Sequence, residues 1–199
     1  MDAPLTPEER SEAVDELEAS RRRLLTSLEN LSEEEWGPRP LPDRWSIAEC
    51  AEHITAAELP LARFFAAAAL LHPSEEERRE IREKDDFVRR FLRDRSQRGE
   101  APERIRPKGR FATREETIRT FEERRAANIA YVRETSEPLR DRFAPHPFAG
   151  VLDGYQWILH LTAHTDRHAA QIEEIRRSYQ LSVISNQFSD QPRQLKTEN

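Results

Sequence analysis

Four times along this chain, a serine, threonine or aspartate stands three residues before a glutamate or glutamine, at the head of an apolar stripe. The pairs are Thr6/Glu9, Ser46/Glu49, Thr113/Glu116 and Asp153/Gln156. In such a pair, each side chain can bond the other residue's backbone N–H, which marks a helix N-terminus. Pro7 suits the first helical turn, and Trp45 can staple the entry at Ser46. The stripes that follow have helical spacing. They are Val14, Leu17, Leu24, Leu28 and Leu31; Ile47, Ala51, Ile54, Leu61 and Phe65; Ile118, Phe121, Ile129 and Val132; and Trp157, Leu161, His164, His168, Ile172 and Ile175. Glycine is rare, at 5 residues, and β-branched runs are absent, which favours helices over sheets. The expected fold is all-α, a four-helix bundle.

Proline-rich GPRPLPD at 37–43 ends the first helix. Pro60 should kink or interrupt the second. A charged insertion at 75–110 separates the second and third main helices. Its first part carries Ile81, Val88, Phe91 and Leu92 at helical spacing and reads as a peripheral helix. Its second part, with Gly99, Pro102, Pro107 and Gly109, reads as a loop. The third helix runs to about Glu137, before Pro138. Pro145-His146-Pro147 and Gly150 form a connector, and the fourth helix runs to about Tyr179. From Leu181 to Asn199 the chain turns polar and loses periodicity. The expected organisation is a bundle domain at 1–180 and a tail at 181–199, disordered or packed on a partner.

The net charge is -6 with mixed signs and no basic stripe, so nucleic acid is not an expected partner. The single cysteine, Cys50, rules out an internal disulfide and a cysteine-rich zinc site, and suits a reducing cytosol. The start, MDAPLTPEER, has no signal-like apolar stretch. The longest apolar stretch, around Leu59 to Leu71, contains Arg63 and is too short to span a bilayer. The expectation is a soluble cytoplasmic protein that does not enter a membrane.

His164 and His168 stand where a bundle seam normally places leucine. Residues four apart on a helix lie about 5–6 Å apart at Cβ. Two imidazoles so placed can converge on one ion at about 2.0–2.1 Å. The plain alternatives are two surface histidines or two hydrogen-bonded core histidines. The metalloprotease pattern H-E-x-x-H is absent, because Thr165 follows His164. Thr165, Asp166 and Arg167 read as the outer face. His160 drifts to the stripe's edge and reads as a neighbour of the site, with a His160/His164 pair as a minor alternative. His53, at the margin of the second helix's buried face, is the natural third ligand, although a lone histidine there would more often be structural. His72 and His146 adjoin prolines and are poorer candidates. Among possible acid–base helpers, Glu49 reads as a cap, Glu52 as solvated and Glu58 as a surface residue in an unusual setting. Cys50 reads as a small core residue.

Trp45-Ser46-Ile47-Ala48-Glu49 followed by Glu52-His53-Ile54, and then His164-x-x-x-His168-x-x-Gln171-Ile172, resemble the two signatures of the DinB/YfiT-like superfamily. The resemblance implies a four-helix bundle with a divalent metal, zinc or nickel, on His53, His164 and His168. It places Gln171 beside the site. Relatives of this kind include thiol-dependent S-transferases, a maleylpyruvate isomerase using mycothiol, and hydrolases, and dimers are common. It therefore implies a small-molecule substrate, a low-molecular-weight thiol as possible co-substrate, and a homodimer. Three imidazoles leave an open coordination position. Water there would have its pKa lowered toward about 7, or a thiol could bind as thiolate. The alternatives are a non-catalytic metal-binding or stress-associated bundle, and an interaction module with incidental histidines. The resemblance does not extend to Pro60, to the 75–110 insertion or to the tail.

Overall fold

The computed structural model describes residues 4–67, 71–96 and 99–189. All four expected helix starts carry caps. Thr6 and Glu9 cap α1 (Pro7–Leu28), and Ser46 and Glu49 cap α3 (Ile47–Ala57), each through a reciprocal pair of hydrogen bonds. Thr113 accepts from the Glu116 N–H at the start of α7 (Arg114–Glu134), while the Glu116 carboxylate reaches back to the Ala112 N–H. Asp153 and Gln156 exchange bonds at the start of α8 (Gly154–Ser189). A side chain at position 154 would meet the Leu139 carbonyl oxygen at 2.6 Å, so glycine lets α8 begin tight against that segment. Serines 32 and 74 cap two short helices in the same way, α2 (Glu33–Trp36) and α5 (Glu75–Arg82).

Both α1 and α3 pack against α7 and α8, so the four long helices close in the order α1, α7, α3, α8. Nearly every stripe residue is buried as its spacing requires. Leu17, Ile47, Val132 and Ile172 have no exposed surface. Burying a leucine- or isoleucine-sized side chain contributes about 1.5–3 kcal/mol, so this seam supplies a large part of the drive to form the bundle. No helix among the described residues is long and apolar enough to cross a membrane.

Pro60 does interrupt the second helix. The chain leaves α3 after Ala57 and re-enters a helix at α4 (Leu61–Ala67). Asn128 on α7 bridges the gap, accepting the Leu61 N–H and donating to the Leu59 carbonyl. The charged insertion departs from the expected single peripheral helix. It forms α5 and α6 (Asp85–Arg93), and α6 lies along α8 with Val88 and Leu92 buried. Phe91, which shares the helical spacing of Val88 and Leu92, is exposed and stacks beside Phe87 at the surface.

The connector after Pro138 is also more ordered than expected. It holds a two-stranded antiparallel hairpin of β1 (Ala144–His146) and β2 (Gly150–Leu152), with Gly150 at φ +75° making the turn. At the far end, α8 continues past Tyr179 to Ser189. The first part of the expected tail is therefore helical, and residues 190–199 lie outside the described residues.

Candidate metal centre

His53 projects from the middle of α3, and His164 and His168 project from α8 across the α3–α8 seam. One ring nitrogen from each lies within 4.8 Å of the other two. The ring centroids are 4.7–5.0 Å apart and the planes meet at 66–76°, so the rings converge by their edges rather than stack. His53 Nε2 lies 3.1 Å from His164 Nε2. Two nitrogens bound tetrahedrally to one ion at about 2.0–2.1 Å stand roughly 3.3 Å apart. The pair is therefore already near the separation that a shared ion needs.

Hydrogen bonds at the far side of two rings decide which nitrogen faces inward. His53 Nδ1 lies 2.8 Å from the Ile105 carbonyl, which can only accept, so Nδ1 carries the proton. In the neutral ring the Nε2 lone pair then faces the cluster. His168 Nδ1 is 2.9 Å from Gln171 Oε1, which leaves its Nε2 free in the same way. This is the arrangement by which an outer partner orients a metal-binding imidazole. Burial pushes all three pKa values down, and for His164 and His168 the mutual repulsion of the rings pushes them further, well below 6.5. The rings are neutral at physiological pH, as ligation requires. His53 and His168 are buried, whereas His164 keeps partial exposure and leaves a way in.

The surroundings correct several expectations. Trp45 does more than staple a helix entry. Its indole lies 4.8 Å from the His53 ring and stacks over His168 at 6.1 Å, forming an apolar wall. Glu52 is not solvated. It is 7% exposed, and its carboxylate accepts the N–H groups of Lys108, Gly109 and Arg110 together with Arg110 Nη1. Burial raises the Glu52 pKa, but these donors outweigh it and hold the carboxyl below the ordinary range. Glu58 is not at the surface: it is 2% exposed and forms a bidentate ion pair with the buried Arg125. Thr165 is not on an outer face either. It is buried and accepts from Arg125. Cys50 is a core residue as expected, its thiol pushed up to about 12 by burial and the nearby Glu49 charge.

His146 was expected in a loose connector, but the hairpin buries it against His160. His146 Nδ1 accepts the N–H groups of Phe148 and Ala149, so its Nε2 carries the proton and donates to His160 Nδ1 at 3.1 Å. His160 in turn stacks on His164 at 5.4 Å. It is a neighbour of the three-histidine cluster and not a member of it, and His72 is exposed. No local sequence signal marked His146, whose partner lies 14 residues away in another element.

Burial pushes His146 down to about 4 and His160 to about 3. Because these values lie below the unfolded value, the fold favours the neutral rings. Their contribution is intact above about pH 6.5 and is lost as pH falls toward 4. His146 alone should cost the metal-free protein up to about 1.4 kcal/mol per pH unit over that window. Urea unfolding at pH 7 and pH 5 measures the slope. A profile that is flat, or equally steep in a His146→Gln variant, would contradict this account.

Residues 16–172 match the family model described as the DinB superfamily. The uncharacterized protein YuaE of Bacillus subtilis (strain 168) is 26% identical over 157 residues, which span 79% of this chain and 93% of that protein. Among solved structures, this chain is similar to YfiT from Bacillus subtilis, described as a probable metal-dependent hydrolase with an unusual four-helix bundle topology. The TM-score is 0.57, at 14% identity, over 88% of this chain and 90% of that one, which is a likeness of fold. The stretch matched by the family model holds most of the bundle seam and all three converging imidazoles, and the chain belongs to the DinB superfamily.

Proposed function

We propose that this chain is a metal-dependent enzyme acting on a small molecule, of the hydrolase or thiol-dependent S-transferase type. In this reading His53, His164 and His168 hold one divalent ion, zinc or nickel. The observation that carries it is the convergence of three neutral, inward-facing imidazoles with nitrogens within 4.8 Å of one another. The description of YfiT as a probable metal-dependent hydrolase supports the same reading. An ion on three imidazoles supplies Lewis acidity and an open position at which water or a thiol can be activated.

The chain's own residues set the rest. Ile105 and Gln171 fix the His53 and His168 tautomers. Trp45 keeps water from one flank, and the partly exposed His164 marks the side from which a substrate enters. The protein offers no free nucleophile of its own among the candidates. Cys50 is buried with its thiol pushed up, and Glu49, Glu52 and Glu58 are held by Arg39, Arg110 and Arg125. That favours a nucleophile brought in from solution, either water or a low-molecular-weight thiol. The reading also takes the chain as a cytoplasmic homodimer, which sizing in solution checks.

Elemental analysis of the purified protein tests the ligand set, with one zinc or nickel per chain expected. Ester, amide and epoxide substrates assayed with and without added thiols then separate hydrolase from transferase. Turnover should vanish on chelation and return with metal. Stoichiometric metal with no turnover on any of them would leave a metal-stapled bundle instead.

A further inference from the structure

We propose that Glu52 is a positioning residue for His53, acting through the turn at 104–110. This rests on the reading of His53 as a ligand, but the observations that carry it concern the metal-free chain. The N–H groups of three consecutive residues, Lys108, Gly109 and Arg110, converge on the Glu52 carboxylate at 2.8, 2.9 and 3.2 Å. Gly109 has φ +74°, the left-handed conformation that turns successive N–H groups to one side and makes an anion-binding hollow. The hollow holds a carboxylate of this same chain. Arg110 then closes the clamp. Its Nη1 donates to Glu52 Oε1 and to the Arg106 carbonyl, and its Nη2 donates to the Arg104 carbonyl.

The same turn contains Ile105, whose carbonyl receives the His53 Nδ1 proton at 2.8 Å. Glu52 and His53 are adjacent on α3, so one helix turn is fastened to one loop at two points. The carboxylate supplies the strength, with four donors including a guanidinium. The carbonyl supplies the direction. An Ile105 carbonyl held in place keeps the His53 ring in one orientation and one tautomer, with Nε2 facing His164. The loop is rich in charge and none of its apolar residues belongs to the buried core, so the clamp is its main polar anchor to α3. The insertion that separates the second and third main helices thereby becomes part of the site.

The experiment compares wild type with Glu52→Gln, Glu52→Ala and Gly109→Ala. Gly109→Ala leaves Glu52 intact but disfavours the left-handed conformation, and no atom crowds the added methyl group. Three quantities are read: amide exchange across 104–110, the His53 tautomer by nitrogen-15 NMR on metal-free protein, and the zinc dissociation constant. In wild type, His53 should be a single Nδ1–H tautomer. In Glu52→Ala, exchange at 108–110 should rise at least tenfold and His53 should show mixed tautomers. Zinc should bind about 10–100-fold more weakly. Gln and the glycine variant should shift all three in the same direction by less. Faster exchange with an unchanged His53 tautomer would overturn the proposal, since Glu52 would then only anchor the loop. Unchanged exchange would overturn it at the first step. If wild type binds no zinc, the metal reading fails, while exchange and tautomer still decide the role of Glu52.

Discussion

Arg125→Ala should lower the unfolding free energy by about 3–5 kcal/mol, because it leaves a buried carboxylate without its counter-charge. Arg125 has no exposed surface, and all five of its N–H groups are used. Nε and Nη2 grip Glu58 at 2.7 and 2.8 Å. Nη1 donates to the Leu17 carbonyl and to Ser20 Oγ, and Nη2 also donates to Thr165 Oγ1. Asn128 adds a further donor to Glu58. One guanidinium thus joins α1, the end of α3, α7 and α8 at one point, one residue along from His164. The pair itself need not stabilise relative to an apolar substitute, since desolvation offsets much of the attraction. Loss of one partner is a different matter, because Glu58 is 2% exposed and cannot recover its hydration. A double change, Arg125→Met with Glu58→Met, should therefore cost less than Arg125→Ala alone. Urea unfolding of the three proteins measures this. A single-mutant loss below about 1 kcal/mol, the scale of an exposed ion pair, would show that the network is not the lock described.

The residues of this network show where sequence reasoning stops. Helix starts were legible because a capping box lies within four residues, and apolar stripes were legible because burial repeats with the helix. The imidazoles of His164 and His168 were legible for the same reason: they interrupt an apolar stripe at positions that must be inside. Arg125 also stands on its stripe, four residues after Phe121 and seven before Val132, yet a charged side chain there reads as surface unless its partner is known. That partner, Glu58, lies 67 residues away. Glu52 was hidden more completely, because its partners are mostly backbone N–H groups of a distant turn, which carry no sequence signature. His146 was hidden by its prolines, which mark a turn but not the two short strands that bury it. The spacing of Val88 and Leu92 was visible, but the α8 surface that they cover was not. Local periodicity reports what each segment buries. It is silent on which distant segment does the burying.

His168→Ala should raise the zinc dissociation constant by roughly 10²- to 10³-fold, as should His53→Ala and His164→Ala. Structural zinc sites with four ligands are worth about 10–16 kcal/mol, or about 2.5–4 kcal/mol for each ligand. Three ligands lost singly should therefore have similar effects. Neighbouring residues should follow in a graded order that tests the geometry. Gln171→Ala leaves the His168 ring in place but removes the acceptor at Nδ1, so its loss should not exceed about 10–100-fold. His160→Ala removes a ring that stacks on His164 and turns its Nδ1 to His146, away from ligation. Its effect should stay within about threefold, the range of a change outside the site. Zinc titration by competition with a coloured chelator gives the constants. Thermal melts give an independent reading, since zinc at 100 times its dissociation constant should stabilise wild type by about 2.7 kcal/mol and should do little for His168→Ala. The order is what matters. If His160→Ala weakens zinc about 10²-fold or more while His168→Ala leaves it unchanged, the ion lies between His160 and His164, and the set with His53 and His168 is wrong. If all four histidine variants bind as wild type does, the three imidazoles are a hydrogen-bonded core cluster. The neutral state that burial imposes on them would then serve packing alone.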